Sequence, residues 1–515
     1  MPEPTPTLTL TGEPLSIADV ESVARRGRPV ALGDTGRERI EASRAALQGA
    51  MASGRTLYGV NTGFGSLARQ RISDDQLRDV QRNLVRSHAA GVGEPLPIET
   101  VRAMILLLTA SLSRGGSGVR PIVIERLIDL LNAGVTPIVP SIGSVGASGD
   151  LAPLAHAALV LIGEGEALVG NGGTGGAPVS GAEALGAAGL EPIELGAKEG
   201  LALINGTHLM AAQAALILAD LDRLLSAAHA AAAMSIDACR GTDAFLDKRV
   251  HALRHQAGQT ESARRLACLI EGSAIIPSHL HDDPRVQDPY SLRCAPVVLG
   301  AAMDQIGCAR AVIERELGAV TDNPLVFDDP GDADRMVVSA GNFHGMPLAL
   351  QLDALVLAVS AIAGIAERRV YYMLAASDSE NPLNPHLSPQ PGLHSGLMIV
   401  QYTAAACVNE ISTLAAPASV VNVPTSAGME DFNSFGPRAA AQARRAVNLG
   451  QRVVAIELLC AAEALEYQRP LRSGAGVEEA HATVRSVVPR LVADRPPGKD
   501  IERLVGLIRD GRFTG

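Results

Sequence analysis

The hydrophobic positions of this chain recur mostly at helical spacing, in long runs, rather than in the alternation of half-buried strands. The pattern predicts a helix over about 37–53 and another over 73–92, ending at Gly91. Two more fall within 97–133, with breaks near Gly115, Gly116 and Gly118. A helix follows over roughly 151–163, then a short one over 184–190 and a long Ala/Leu stretch over 209–234, interrupted by Asp220, Asp222 and Arg223. Three further patterns are long: 297–318, 347–375 and 437–467. Pro347 and Pro437 open the last two, where a proline in the first turn is tolerated. About thirty residues of helix span about 45 Å, a length suited to a bundle shared between subunits. Polar turns link the long helices and would gather at bundle ends: Thr321-Asp322-Asn323-Pro324, Gly341-Asn342-Phe343-His344-Gly345 and the segment 424–434. Residues 470–515 are charged and read as an outer helical tail.

Composition supports helices and narrows the partners. Hydrophobic residues make up 47% of the 515, and charged residues only 19%, enough for a large buried core. Aromatics are 3% with no Trp, so Ala and Leu fill the apolar positions and favour closely packed helices. The net charge of −11 argues against nucleic acid and anionic membranes. Six scattered cysteines with no CxxC spacing indicate neither a zinc site nor a disulfide scaffold, and suit a reducing compartment. The N-terminus has no basic region followed by an apolar one, and the apolar run 354–366 is too short to cross a bilayer. A soluble, cytoplasmic chain is expected.

Candidate chemistry centres on Gly146-Ala147-Ser148-Gly149-Asp150. One reading is a glycine-rich loop whose Asp150 caps the next helix. The other is covalent. The Gly149 amide nitrogen can attack the Ala147 carbonyl carbon, and loss of two waters, one from Ser148, leaves a conjugated methylidene-imidazolone ring (MIO). Gly149 lacks a Cβ and tolerates the strain, and Ala147 is small enough for the approach. Tyr58 begins a Gly-rich loop, as a packed loop-edge residue or as a working one. His88 lies near a helix C-terminus, where the dipole favours it. Asn205 ends an apolar run, as a cap would. Tyr290 and Arg293, three apart, would share a face of a helical turn. Arg293 could hold a carboxylate through two parallel hydrogen bonds or pair with a structural acid. Gly170–Gly176 satisfies GxGxxG, but no helix opens at its end and no βαβ units surround it, so a surface hairpin or loop is expected. His251 and His255 lack the Glu of HExxH, and His279, His281, Asp282 and Asp283 read as a solvated loop, so no metal is assigned.

Five motifs, in order, resemble the MIO-dependent ammonia-lyases of histidine, phenylalanine and tyrosine and the related aminomutases. They are YGVNTGFG, SVGASGDLAPLAH, EGLALINGT, QDPYSLRC and GNFHG, and the likeness runs from about Tyr58 to Glu466. The resemblance implies a mainly α fold, a long-helix bundle of the aspartase/fumarase-like type. A lobe over 1–200 would carry the MIO loop, and 201–515 the central bundle and tail. It implies a homotetramer with active sites assembled from several subunits, and no external cofactor. Ser87-His88 matches histidine lyases where phenylalanine lyases carry Phe-Leu, and Glu430 matches the acidic residue of histidine lyases. The chain departs from that pattern at Val297, Met346, Met429 and Phe432.

On this resemblance the MIO from Ala147, Ser148 and Gly149 activates the amino group, and Tyr58 removes the β-proton. A phenol needs a lowered pKa to do so at neutral pH. Tyr290 assists near the amine. Arg293 clamps the carboxylate, with Gln287 in the same motif at the substrate. Asn205 and Phe343 shape the ring, while Ser87, His88 and Glu430 meet the imidazole. The implied product is urocanate. A lyase or 2,3-aminomutase for another amino acid and an idle helical scaffold are the competing readings.

Overall fold

The computed structural model describes residues 6–65, 70–170, 176–281, 283–328, 336–376 and 381–513. They are mostly helical, with four small sheets of two or three short strands among the described residues. The chain forms two compact units, each assembled from separated segments.

The first unit comprises Met1–Leu216, Arg310–Leu352 and Ala418–Ala441. Its centre is the helix Ile98–Leu112, buried continuously from Thr100 to Leu112 and packed between Ile17–Arg26 and Pro121–Ala133. The helix Ile17–Arg26 starts at a Ser16/Asp19 capping box and stops at Gly27, whose φ of 66° suits a residue without a Cβ. The predicted helix 73–92 is Leu77–His88, with His88 as its last residue. It packs with Leu151–Leu161 and Glu199–Ile204, and these three helices build the framework of the site. The strands Glu166–Val169 and Val179–Ser180 pair antiparallel around the glycine run; residues 171–175 of that run lie outside the described residues.

The second unit comprises Ile217–Ala309, Asp353–Pro417 and Gln442–Gly515. Its core is built from Ala, Val and Leu. It encloses a buried ion pair, Arg369 Nε to Glu457 Oε1 at 2.5 Å and Nη2 to Oε2 at 2.9 Å. Ser235 donates to the same carboxylate at 2.8 Å. The charged tail carries two helices, Ala475–Arg485 and Gly498–Arg509.

The four long helices are His208–Ala238, Ala295–Glu316, Met346–Ala375 and Gly436–Glu466. Two of them exceed the expectation drawn from the apolar run 354–366. Met346–Ala375 and Ala295–Glu316 are long and apolar enough to cross a membrane by length and composition, because helix continues on both sides of each apolar run. Just over half of the apolar window of Met346–Ala375 is buried within the chain, as in the core helix of a folded domain.

Candidate active site

A cavity of about 480 Å³ opens in the first unit. One wall is a single face of the helix Leu77–His88, because Val80, Asn83, Leu84, Ser87 and His88 recur at three- and four-residue spacing. Tyr58, Ser148, Leu201, Asn205, Asn323, Ser426 and Glu430 complete much of the rest. Of the residues singled out in the sequence, the cavity thus gathers Tyr58, Ser87, His88, Ser148, Asn205 and Glu430. Asn83 and Asn323 were not singled out; the helical spacing from Asn83 to Ser87 and His88 carried the signal for the first.

His88 Nδ1 lies 2.9 Å from the Leu84 carbonyl oxygen, which can only accept. Nδ1 therefore carries the hydrogen, and in the neutral ring Nε2 is an acceptor. Burial pushes the His88 pKa down, opposed by the Leu84 carbonyl and the Glu430 charge. Glu430 is held by Thr425, whose hydroxyl donates to Oε2 at 2.8 Å. The turn between them places Ser426, Ala427 and Gly428 successively at φ of 50°, 53° and 85°. Two non-glycine residues in the left-handed region are strained, and the Thr425–Glu430 backbone pairing holds them there. This end of the cavity therefore presents hydrogen-bond acceptors to whatever enters.

The Ala147-Ser148-Gly149 loop is clamped from several sides. Gly149 has φ of 71° and pairs in a parallel bridge with Gly206, where a Cβ would collide with the Gly206 carbonyl. Gly206 N donates to Ser148 O at 3.3 Å, and Asp150 N donates to Gly206 O at 2.8 Å. Ser434 Oγ donates to Gly146 O at 3.1 Å, and Phe435 N to Val145 O at 2.9 Å. Ala147 is buried, while Ser148 faces the cavity with its Oγ 3.5 Å from Glu430 Oε1. These residues fit ring formation: a glycine that nothing larger could replace, a small residue behind it and a hydroxyl at the cavity.

Asp150 precedes the helix Leu151–Leu161 but makes no side-chain cap there. Its Oδ2 accepts instead from the Leu209 and Met210 amides, at 2.9 and 3.1 Å, so it caps the start of His208–Ala238. The expectation of a local cap fails because the carboxylate has a second helix start within reach. Burial pushes its pKa up to about 7, opposed by the two amides and Ser144. Asp150→Ala should destabilise the fold by about 1–3 kcal/mol for each orphaned amide, read as a fall in the urea midpoint. Asp150→Asn keeps one accepting oxygen and should lose less. The folded pKa lies above the ordinary 3.8, so the stability this group confers is complete below that value and lost as pH rises to about 7. Asp150→Asn should abolish that slope.

Tyr58 stands at the cavity with its hydroxyl oxygen accepting from the Gly65 amide at 3.3 Å, a contact that leaves the phenolic hydrogen unused. Asn61 fixes the loop by accepting from Leu57 N at 2.7 Å and donating to Arg55 O at 2.8 Å.

The remaining candidates lie elsewhere. Phe343 is half-buried in the first unit but is not a lining residue. Gln287, Tyr290 and Arg293 belong to the second unit and are not among the lining residues. There the Arg293 guanidinium sits over the Tyr290 ring, 4.5 Å from its centre, and its Nε donates to Asp288 O at 2.9 Å. The shared face of the turn Tyr290–Arg293 is present, and the guanidinium meets a ring and a carbonyl oxygen there. None of Val297, Met346, Met429 and Phe432 lines the cavity; Met429 and Phe432 are more than half exposed. His251 is an internal anchor, bonded to the Phe245 carbonyl and Gln259. His279 pairs with Asp283 at 3.1 Å, while Asp282 lies outside the described residues. Among the described residues no group of three or more His, Cys, Asp or Glu could hold a metal ion.

Comparisons with known proteins agree over nearly the whole length. The family model described as aromatic amino acid lyase matches residues 15–486. The histidine ammonia-lyase of Anaeromyxobacter sp. (strain K) is 49% identical over 508 residues, covering 98% of this chain and 99% of the relative. That of Gloeobacter violaceus is 48% identical over 506 residues, with coverages of 98% and 96%. Among solved structures, histidine ammonia-lyase from Trypanosoma cruzi superposes with a TM-score of 0.90 at 37% identity, covering 99% of this chain and 94% of that one. Tyrosine aminomutase from Streptomyces globisporus gives 0.91 at 33% identity, with coverages of 99% and 98%.

Proposed function

The chain belongs to the aromatic amino acid lyase family, and from that premise we propose that it eliminates ammonia from L-histidine to give urocanate. The observation that carries this reading is the acceptor-lined end of the cavity. His88 Nε2 and the Glu430 carboxylate call for a ring with N–H donors, of which imidazole has one when neutral and two when protonated, and a phenyl ring none. A phenyl ring there would leave both groups unpaired, at about 1–3 kcal/mol each.

Ala147, Ser148 and Gly149 would form the MIO group, which would supply an electrophile for the substrate amino nitrogen. The β-proton falls to Tyr58, the one phenol among the described residues that line the cavity. Ser87 and His88 are offered from one helix face, and Glu430 from a strained turn, so the ring is gripped by groups whose positions are set before it binds. Phe343 and Asn205 shape the surroundings of the loop.

Support for a homotetramer comes from the helix Met346–Ala375. Leu350, Ala354, Leu357, Ala361, Gly364, Arg368 and Tyr371 follow alternating four- and three-residue steps, the spacing of a coiled-coil seam. Leu350, Leu357 and Tyr371 are each more than half exposed on it. An adjoining copy would cover this stripe, and Gln287, Tyr290 and Arg293 of a partner subunit would complete the site. Arg293 would hold the substrate carboxylate and Tyr290, 71% exposed, would stand near the amine. A reducing, cytoplasmic setting suits six cysteines that form no disulfide.

The test is a product assay with purified protein and L-histidine, L-phenylalanine and L-tyrosine, read by ultraviolet absorbance and mass. Urocanate from histidine alone is expected; a conjugated acid from phenylalanine or tyrosine in preference overturns the reading. Chiral chromatography of the same mixtures detects a β-amino acid, the product expected of an aminomutase. His88→Leu and Glu430→Gln should each lower kcat/KM for histidine by about 10- to 100-fold, the scale of a hydrogen bond to a charged or buried group. The kcat/KM for phenylalanine should not fall.

A further inference from the structure

The turn Thr321-Asp322-Asn323-Pro324 gives Asn323 to the cavity lining and has no role in the reaction proposed above. Asp322 is 2% exposed and Lys198 is fully buried, with Nζ 2.6 Å from Asp322 Oδ2. The other oxygen, Oδ1, accepts from Asn323 N at 2.6 Å and from Asn205 Nδ2 at 3.3 Å. Asn205 Nδ2 also donates to the Asn323 carbonyl at 3.2 Å. Both Asn205 amide hydrogens are thereby directed at acceptors. A reversed amide would set its oxygen against a carboxylate and a carbonyl, so the chemistry of the partners fixes the orientation. With both hydrogens so engaged, the atom that Asn205 has left for the cavity it lines is its oxygen. Two further features mark the arrangement as purposeful. Lys198 occupies the left-handed region, φ 76°, directly before the helix Glu199–Ile204. A buried ion pair is also a poor way to gain stability, because desolvation offsets the attraction.

We propose that Asp322, paired with Lys198, is a positioning residue that turns the Asn205 oxygen into the cavity as the acceptor for the substrate's ammonium group. The proposal rests on the amino acid lyase reading above. It divides the substrate between two sets of acceptors, His88 and Glu430 for the ring and Asn205 for the amine. All the partners of Asp322 are donors on two different oxygens. An amide at position 322 offers one oxygen only, so Asp322→Asn must set its NH2 against either the Lys198 ammonium or the Asn205 amide. Removing the ammonium as well, in Lys198→Met/Asp322→Asn, frees the new amide to keep its oxygen on Asn205.

The experiment is calorimetric binding to the full chain in a Ser148→Ala background, which binds without turnover. The two ligands are L-histidine and imidazolepropionate, which is the same acid without the amine. Asp322→Asn should weaken histidine about 10- to 100-fold and change imidazolepropionate less than twofold. Lys198→Met/Asp322→Asn should restore histidine binding, and Asn205→Ala should again weaken histidine alone. Equal weakening of both ligands, or of neither, by Asp322→Asn or Asn205→Ala overturns the proposal, as does failure of the double variant to recover. Should Asp322→Asn not fold, the double variant and Asn205→Ala carry the comparison. A parent that binds neither ligand overturns the histidine reading and this one with it. A parent that binds both, with no contrast among the variants, overturns this one alone.

Discussion

Ser148→Ala leaves a protein that folds but has almost no turnover. The loop around it is fixed through its backbone by Gly206, the Ser434 hydroxyl and Phe435, none of which uses the Ser148 side chain. Among the described residues the hydroxyl itself touches only Glu430, at 3.5 Å. Its removal therefore costs the fold little while taking away the group that would depart as water in the proposed ring formation. Turnover should fall by at least about 10⁴-fold, the order lost when a covalently acting group is removed from an enzyme. Intact mass provides the check. The parent chain should be lighter than its sequence by two waters, and the variant should not show the conjugated ring's absorbance. A variant that retains turnover without the ring would refute the assignment of Ala147, Ser148 and Gly149.

Tyr58→Phe should keep the ring and lose the base. Among the described residues the Tyr58 oxygen accepts from the Gly65 amide alone, so the substitution orphans one loop amide and leaves the Asn61 contacts that hold the loop. Loss of a positioned general base costs about 10²- to 10⁴-fold. The fall should appear in kcat, with KM nearly unchanged, because the β-carbon proton moves only in the transition state. Deuterium at the β-carbon should slow the variant more than the parent, as proton removal becomes rate-limiting. An unchanged isotope effect with intact kcat would move the base to another residue.

Much of the site is legible in the sequence because its chemistry is local there. The Ala-Ser-Gly triplet must be contiguous for its own atoms to react, and Ser87-His88 are neighbours at a helix end that the apolar spacing predicts. The fold class is legible for a related reason: helical periodicity and Ala/Leu-rich composition are properties of single segments, and the four long helices follow their patterns closely. Asp150 shows where that reasoning ends. Its place before a helix suggests a local cap, yet its carboxylate serves a helix start some sixty residues away.

The sequence by itself therefore determined the helical class, the Ala-Ser-Gly triplet proposed to react and the identity of the side chains proposed to meet the ring. Each is a matter of residue type and short spacing. Only the tertiary structure decided how those groups face. It brought Ser148 to Glu430 and turned the Asn205 amide through Asp322 and Asn323, more than a hundred residues on. It also kept Met429 and Phe432 out of the cavity lining, although they flank Glu430 in the chain. A hydrogen bond depends on the direction of both partners, and direction is set by packing between segments that the sequence does not place side by side.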